Sequence, residues 1–318
     1  MNVMHQTVTD RFSIFHADTV EVAKGLPDHS VDFSVFSPPF ASLYTYSNSP
    51  RDMGNVVDDA EFFAHYDFLI EQQARVMKPG RLVAIHCMLM PTSKTRDGHI
   101  GLRDFRGDII RAYEKRGFIF HSEVCIWKDP VTAMQRTKAL GLLHKTIRKD
   151  SAMSRQGIAD YLVVMRTAGD NIEPIAHTHE TFPVMRWQRY ASPVWATLGE
   201  PDDEGFAMCS AEETADEASG INPSNTLQYR SAREHDDERH ICPLQLGVIR
   251  RSVRLWSNPN EIVWSPFAGI GSEGYVSLQE GRRFVGAELK KSYYDQACRN
   301  LHEAQTTKQH DLFAAVSP

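Results

Sequence analysis

The sequence predicts an α/β protein built on a doubly wound, mostly parallel sheet. Three observations carry this reading. Short apolar runs alternate with segments of helical period, both in residues 1–166 and in residues 240–318. A glycine-bearing turn stands between one such run and the helix that follows it. The chain has 318 residues, 42% hydrophobic and 24% charged, enough for one sizeable domain plus an insertion or a small second domain.

Residues 12–15 and 32–36 are the first two predicted strands. Phe62, Tyr66, Leu69, Ile70, Val76 and Met77 keep helical spacing after Asp58 and Asp59, and Lys78-Pro79-Gly80 is expected to stop that helix. A strand at 82–85 should follow. Phe105, Ile109, Ile110 and Tyr113 mark a second helix, which ends near Gly117 and feeds a strand at 118–127. Residues 161–166 read as another strand. The pattern resumes with a helix at 243–255, a strand at 261–264, a helix at 272–279, a strand at 283–287 and a final helix at 291–304. Seven strands result.

Between these blocks the charge segregates. Residues 128–158 carry Lys128, Arg136, Lys138, Lys145, Arg148, Lys149 and Arg155 against only Asp129 and Asp150. Residues 200–217 hold eight acids and no base, which predicts a solvated, mobile loop and explains the net charge of −6. The odd set of five cysteines contains no C-x-x-C pair, so free thiols in a reducing compartment are expected. The 14 histidines include no H-x-x-x-H spacing, and no metal site is expected. No apolar run reaches the ~20 residues of a membrane span and the N-terminus lacks a signal pattern, so a cytoplasmic protein without membrane contact is expected.

Two motifs carry chemistry. The run at 31–36 ends in Ser37-Pro38-Pro39-Phe40, where two prolines fix the backbone and set a polar atom and a carbonyl beside an aromatic ring. That combination suits a planar amine held in line with an electrophile, and it points to methyl transfer onto an amino group of a base. The run at 262–264 enters Ser265-Pro266-Phe267-Ala268-Gly269-Ile270-Gly271-Ser272 with a helix behind it. Glu288 follows about 20 residues beyond Gly269, at the offset of an acid that accepts both ribose hydroxyls. The turn is too short for G-x-G-x-x-G and lacks a Gly-Lys-Ser/Thr, which disfavours a dinucleotide or a triphosphate.

These two motifs resemble those of the DNA amino-methyltransferases. Ser265 to Ser272 is similar to their D-P-F-x-G-x-G-[ST] S-adenosylmethionine loop, and Ser37-Pro38-Pro39-Phe40 to their [DNS]-P-P-[YF] catalytic motif. With the catalytic motif first and the cofactor loop last, the order resembles the permuted β-group, over about residues 12–301. The resemblance implies a circularly permuted, seven-stranded class I methyltransferase sheet with an inserted target-recognition region. It divides the chain into a catalytic half at 1–166 with a basic insertion at 128–160, a recognition region at 167–239 and a cofactor-binding half at 240–318.

The resemblance implies S-adenosylmethionine bound by Asp18, Ser265, Phe267, Ala268, Gly269, Gly271, Ser272 and Glu288, with Asp18 toward the adenine. Ser265 departs from the family's usual Asp. It also implies that Ser37 and the Pro38 carbonyl accept hydrogens of the amine while Phe40 stacks on an extruded base, with Pro39 fixing the turn. Ser at the first motif position goes mostly with N4 of cytosine in that family, Asp or Asn with N6 of adenine. Cytosine is therefore the expected base and adenine the alternative. An RNA or protein amide substrate, or a DNA-binding module without catalysis, are further alternatives. Arg136, Lys138, Lys145, Arg148, Lys149 and Arg155 are candidate phosphate contacts. Arg186 and Arg189, in Arg186-Trp187-Gln188-Arg189-Tyr190, could reach base edges, although Trp187 and Trp195 could equally be core. Tyr44 and Tyr46 are candidates to line the base pocket, and His240 to cover the methionine end of the cofactor. A homodimer and a cognate restriction endonuclease would fit the family.

Overall fold

The computed structural model describes residues 3–39, 53, 59–128, 130–131, 134, 143–196, 221, 224–228, 232 and 243–316. Phe40, Tyr44, Tyr46, Arg136, Lys138, His240 and the acidic stretch at 200–217 lie outside the described residues. Among the described residues, no helix is long and apolar enough to cross a membrane.

The strands are β1 (Val3–Val8), β2 (Phe12–Ala17), β3 (Val31–Phe36), β4 (Met77–Met88), β5 (Met90–Pro91), β6 (Leu102–Arg103), β7 (Ile119–Ile126), β8 (Asp160–Arg166), β9 (Val194–Trp195), β10 (Ile262–Ser265) and β11 (Arg283–Glu288). β5 and β6 pair with each other, and the others form one sheet in the order β1-β2-β11-β10-β3-β4-β8-β7-β9. From β2 to β4 the strands run parallel, whereas β8 is antiparallel to both β4 and β7.

The described sheet has nine strands where seven are predicted. The two additions are its edges. β1 is mostly exposed and paired antiparallel with β2, so backbone hydrogen bonds rather than an apolar pattern hold it. β9 is two residues long and pairs in parallel with the end of β7.

Helices cover both faces. α1 (Thr19–Gly25), α2 (Asp59–Val76) and α3 (Phe105–Lys115) pack on one side. Their Val22, Phe62, Tyr66, Leu69, Ile109 and Tyr113 share a core with Val83, Ile85 and Val163 of the sheet. On the other side lie α5 (Leu246–Trp256), α6 (Ser272–Gln279) and α7 (Lys291–Val316), which follow a short α4 (Val184–Tyr190). There Val248, Ile249, Val253, Val276 and Leu301 meet Phe33, Leu82, Ala84, Leu162 and Val164. Alternate residues of β4 and β8 thus enter opposite cores, as the pleat dictates. β3 is covered on both faces and all six of its residues are buried, its polar Asp32 and Ser34 being hydrogen-bonded to the backbone of β10.

Two element boundaries differ from prediction. Lys78-Pro79-Gly80 does not sit outside the strand but forms a bulge within β4, between the pairs Val31↔Met77 and Phe33↔Leu82, with Gly80 at φ 71°. α7 continues to Val316, well past the predicted end.

A polar cluster pins the amino ends of the central strands. Buried Asp32 accepts from the Ile262 amide at 2.8 Å and pairs with Lys78 at 2.7 Å, while Arg81 bridges to Glu261. Asp32, Glu173 and Glu261 lie close enough together for metal ligation, but Lys78 and Arg81 already neutralise them.

Candidate active site

Winding direction locates the site. The chain runs from β10 through α6 to β11 on one side, and from β3 through α2 to β4 on the other. Parallel neighbours β10 and β3 therefore form a topological switch point, whose carboxyl ends diverge into a crevice. The register Val263↔Phe33 and the bond from Ser34 Oγ to the Trp264 carbonyl, 2.9 Å, lock these strands together. Ser37 and the Ser265–Ser272 loop leave adjacent strand ends here, despite their separation in sequence.

Within the loop, Gly269 and Gly271 have φ of 51° and 86°, a left-handed region that favours glycine. Their surroundings differ. A Cβ on Gly269 would meet nothing within 4 Å, so that face of the loop is open. One on Gly271 would lie 3.2 Å from the Ala297 Cβ of α7, so this glycine allows close helix packing. Asn300 of α7 donates to the Ile270 carbonyl at 2.7 Å and fixes the loop from behind.

Glu288 ends β11 and accepts from the Gly269 amide and the Lys290 amide, both at 2.8 Å. Its carboxylate is thereby held at the rim of the open face. Ser265 and Ser272 are buried, and their hydroxyls have no hydrogen-bond partner among the described residues. Orphaned hydroxyls, an open glycine face and a fixed carboxylate form a polar cradle that fits S-adenosylmethionine. Behind it, burial pushes the Glu273 carboxyl up to about 8, with the Glu288 charge adding to the shift.

Phe267 and Ala268 complete the loop. The Ala268 amide donates to the Ala287 carbonyl at 2.9 Å, and the half-buried Phe267 ring lies 5.8 Å from Phe36, bridging the two strand ends. Asp18 caps α1, with Oδ1 accepting from Val20 and Glu21 at 3.0 and 3.2 Å. Because β2 pairs with β11 in the register His16↔Glu288, Asp18 stands at the same carboxyl edge as Glu288.

On the other side of the crevice, Ser37 is half-buried, Pro38 buried and Pro39 half-buried. The parallel register Phe36↔Ile85 sets Ser37 beside His86, and Ser37 Oγ lies 3.2 Å from His86 Nδ1. His86 Nε2 in turn lies 2.9 Å from Asp160 Oδ2, which ion-pairs with Lys128. Sequence reasoning missed His86 and Asp160. A histidine inside an apolar run gives no signal by itself, and Lys128 read as part of the basic segment. Its ammonium is instead bound to a buried carboxylate.

The remaining basic candidates divide. Lys145, Arg148 and Lys149 are exposed around a single helical turn, His144–Ile147, and make no ion pair among the described residues. Arg155 is half-buried and donates to the Gly101 carbonyl at 3.0 Å. Arg186 donates to the Thr181 carbonyl at 3.0 Å, and Arg189 lies half-buried in the same helix. Trp195 is fully buried, with Arg251 stacked on its ring at 5.3 Å, whereas Trp187 is 54% exposed. Cys87, Cys125 and Cys298 are free thiols.

The comparisons with known proteins agree with this architecture. M.BglII of Bacillus subtilis, a type II methyltransferase, is 26% identical over 290 residues, 91% of this chain and 68% of its own. YhdJ of Escherichia coli, a DNA adenine methyltransferase, is 32% identical over 92 residues, 28% of this chain and 31% of its own. Among solved structures, TTHA0409 of Thermus thermophilus in complex with S-adenosyl-L-methionine superposes with a TM-score of 0.63 at 20% identity, covering 93% of this chain and 94% of that one. The cytosine-N4-specific PvuII DNA methyltransferase gives 0.61 at 12% identity, covering 96% and 95%. These two establish a shared fold. The DNA methylase family (N6_N4_Mtase) matches residues 31–299, and with that span covering both strand-end motifs, the chain belongs to this family of DNA methyltransferases.

Proposed function

We propose that the protein transfers a methyl group from S-adenosylmethionine to the exocyclic N4 amine of a cytosine flipped out of DNA. The observation that supports this most is the meeting of Ser37-Pro38-Pro39 with the glycine loop at the β3–β10 switch point. Gly269, Gly271, Ser265, Ser272, Phe267, Ala268 and Glu288 would hold the cofactor, with Asp18 at its adenine end. When bound, S-adenosylmethionine supplies an electrophilic methyl group.

The protein's task is to prepare the nucleophile. An exocyclic amine is weak because its lone pair is delocalised into the ring. Ser37 Oγ and the Pro38 carbonyl accept its N–H hydrogens, which aims the nitrogen lone pair at the methyl carbon. Phe40 stacks on the extruded base and keeps the ring in plane. Backbone acceptance and positioning suffice, so no covalent bond between enzyme and base is needed.

The order of the parts supports a permuted arrangement: a catalytic half at 1–166, a recognition region at 167–239 and a cofactor half at 240–318. Lys145, Arg148 and Lys149 serve as phosphate contacts, joined by Arg136, Lys138 and Arg155. Arg186 and Arg189 face the target side. Similarity to a type II methyltransferase supports a modification role beside a cognate endonuclease, and a homodimer would fit the same role.

The second reading, N6 of adenine, draws support from the local identity with a DNA adenine methyltransferase. Nucleoside mass spectrometry on unmodified DNA, incubated with the protein and S-adenosylmethionine, separates the two. N4-methylcytosine is the expected product. N6-methyladenine would overturn the base assignment while keeping the site. The absence of any methylated base would overturn the function.

A further inference from the structure

The role proposed for Ser37, on which this inference rests, requires its oxygen to accept, so its own hydrogen must go elsewhere. Among the described residues, both partners of Ser37 Oγ belong to His86: ring Nδ1 at 3.2 Å and the backbone carbonyl at 3.4 Å. The ring itself is held from behind. His86 and Asp160 are diagonal neighbours on one face of the antiparallel β4–β8 ladder, in which His86 opposes Leu162 and Met88 opposes Asp160. Asp160 Oδ2 lies 2.9 Å from Nε2 and also takes the Lys128 ammonium.

That arrangement dictates the tautomer. Asp160 is 2% exposed; burial pushes its carboxyl up, but Lys128 and His86 together pull it below the usual carboxylate range. An ionised carboxylate only accepts, so the hydrogen of the neutral imidazole sits on Nε2. Nδ1 therefore presents a bare lone pair.

We propose that His86, oriented by Asp160 and Lys128, is a positioning residue that sets the polarity of Ser37: Nδ1 takes the hydroxyl hydrogen, and both lone pairs of Ser37 Oγ are left for the amine. With the opposite tautomer, Nδ1–H would donate to Ser37 and occupy one of those lone pairs. The hydroxyl hydrogen would then turn toward the His86 carbonyl or toward the amine itself.

Asp160→Asn tests this, because an amide can donate to Nε2 and turn the ring to its Nδ1–H form. The expected loss is about 10- to 100-fold in kcat, the size of one misdirected hydrogen bond in a buried site, with the cofactor KM within about twofold. His86→Asn places an amide oxygen near the Nδ1 position and should retain activity within about fivefold; in that background Asp160→Asn should cost less than about twofold. Equal losses from Asp160→Asn in the two backgrounds would show a merely structural carboxylate and overturn the proposal. Long-range proton–nitrogen spectra of the wild-type ring provide a readout independent of variant folding. A proton on Nε2 and none on Nδ1 is expected; a proton on Nδ1 overturns the proposal. The spectrum reads the network even if the wild-type protein methylates no base, an outcome that would strike the functional reading instead.

Discussion

Glu288 shows how much one side chain can carry. One carboxylate oxygen fixes the Gly269 amide and the other the Lys290 amide, so the same group shapes the loop that, under the proposed function, would receive a ribose. Glu288→Ala should weaken S-adenosylmethionine binding at least tenfold, about 1.4 kcal/mol, in isothermal titration calorimetry. Unchanged affinity would confine Glu288 to holding the loop. The residue was legible in sequence because its offset from Gly269 is fixed by the length of α6 and β11. His86 was not, because its partners Ser37 and Asp160 come from two other segments whose alignment depends on sheet register.

At the scale of elements, the two glycines of the β10–α6 loop differ in what surrounds them. Both have positive φ, so alanine strains the backbone at either position by about 1–2 kcal/mol. Gly271→Ala also pushes a methyl against Ala297, whereas at Gly269 it projects into open space. Gly271→Ala should therefore lower Tm more in thermal melts. Gly269→Ala should instead show its larger effect in cofactor affinity, since its methyl occupies the cradle. Equal Tm losses would contradict this division. Element boundaries also show where local signals fall short of the full strand. Lys78-Pro79-Gly80 follows directly on the end of α2 at Val76, as its residues predict, but pairing of Met77 with Val31 extends β4 back across them as a bulge. Cross-strand pairing decided that outcome over local propensity.

For the whole molecule, two predictions concern charge. Glu273 is buried with its carboxyl pushed up to about 8 from an ordinary 4.5. The folded state then holds a proton that the unfolded chain releases as pH rises above the ordinary value. Its stabilising effect is complete below pH 4.5, declines by up to about 1.4 kcal/mol per pH unit, and is lost by about pH 8. Glu273→Gln should remove this decline, so the variant gains stability relative to wild type between about pH 5 and 8 in denaturant titrations. A constant difference across that range would refute the assignment. Replacing Lys145, Arg148 and Lys149 together with alanine should weaken DNA binding. It should also reduce the slope of log affinity against log salt by up to about 2.7, if each neutralises one phosphate. An unchanged slope would remove these residues from the DNA interface.

By itself the sequence determined the layered α/β fold, the two motifs and the acid that serves the glycine loop. Each depends on periodicity or short spacing, which local chain geometry translates directly into structure. Only the tertiary structure decided the nine-stranded sheet, the bulge in β4 and the alignment of Ser37 with His86, Asp160 and Lys128. A β-strand's partners are chosen by long-range pairing, and a shift of one residue would turn His86 to the opposite face. Ser37 is written in the chain; the group that orients its hydrogen exists only once β3, β4 and β8 lie side by side.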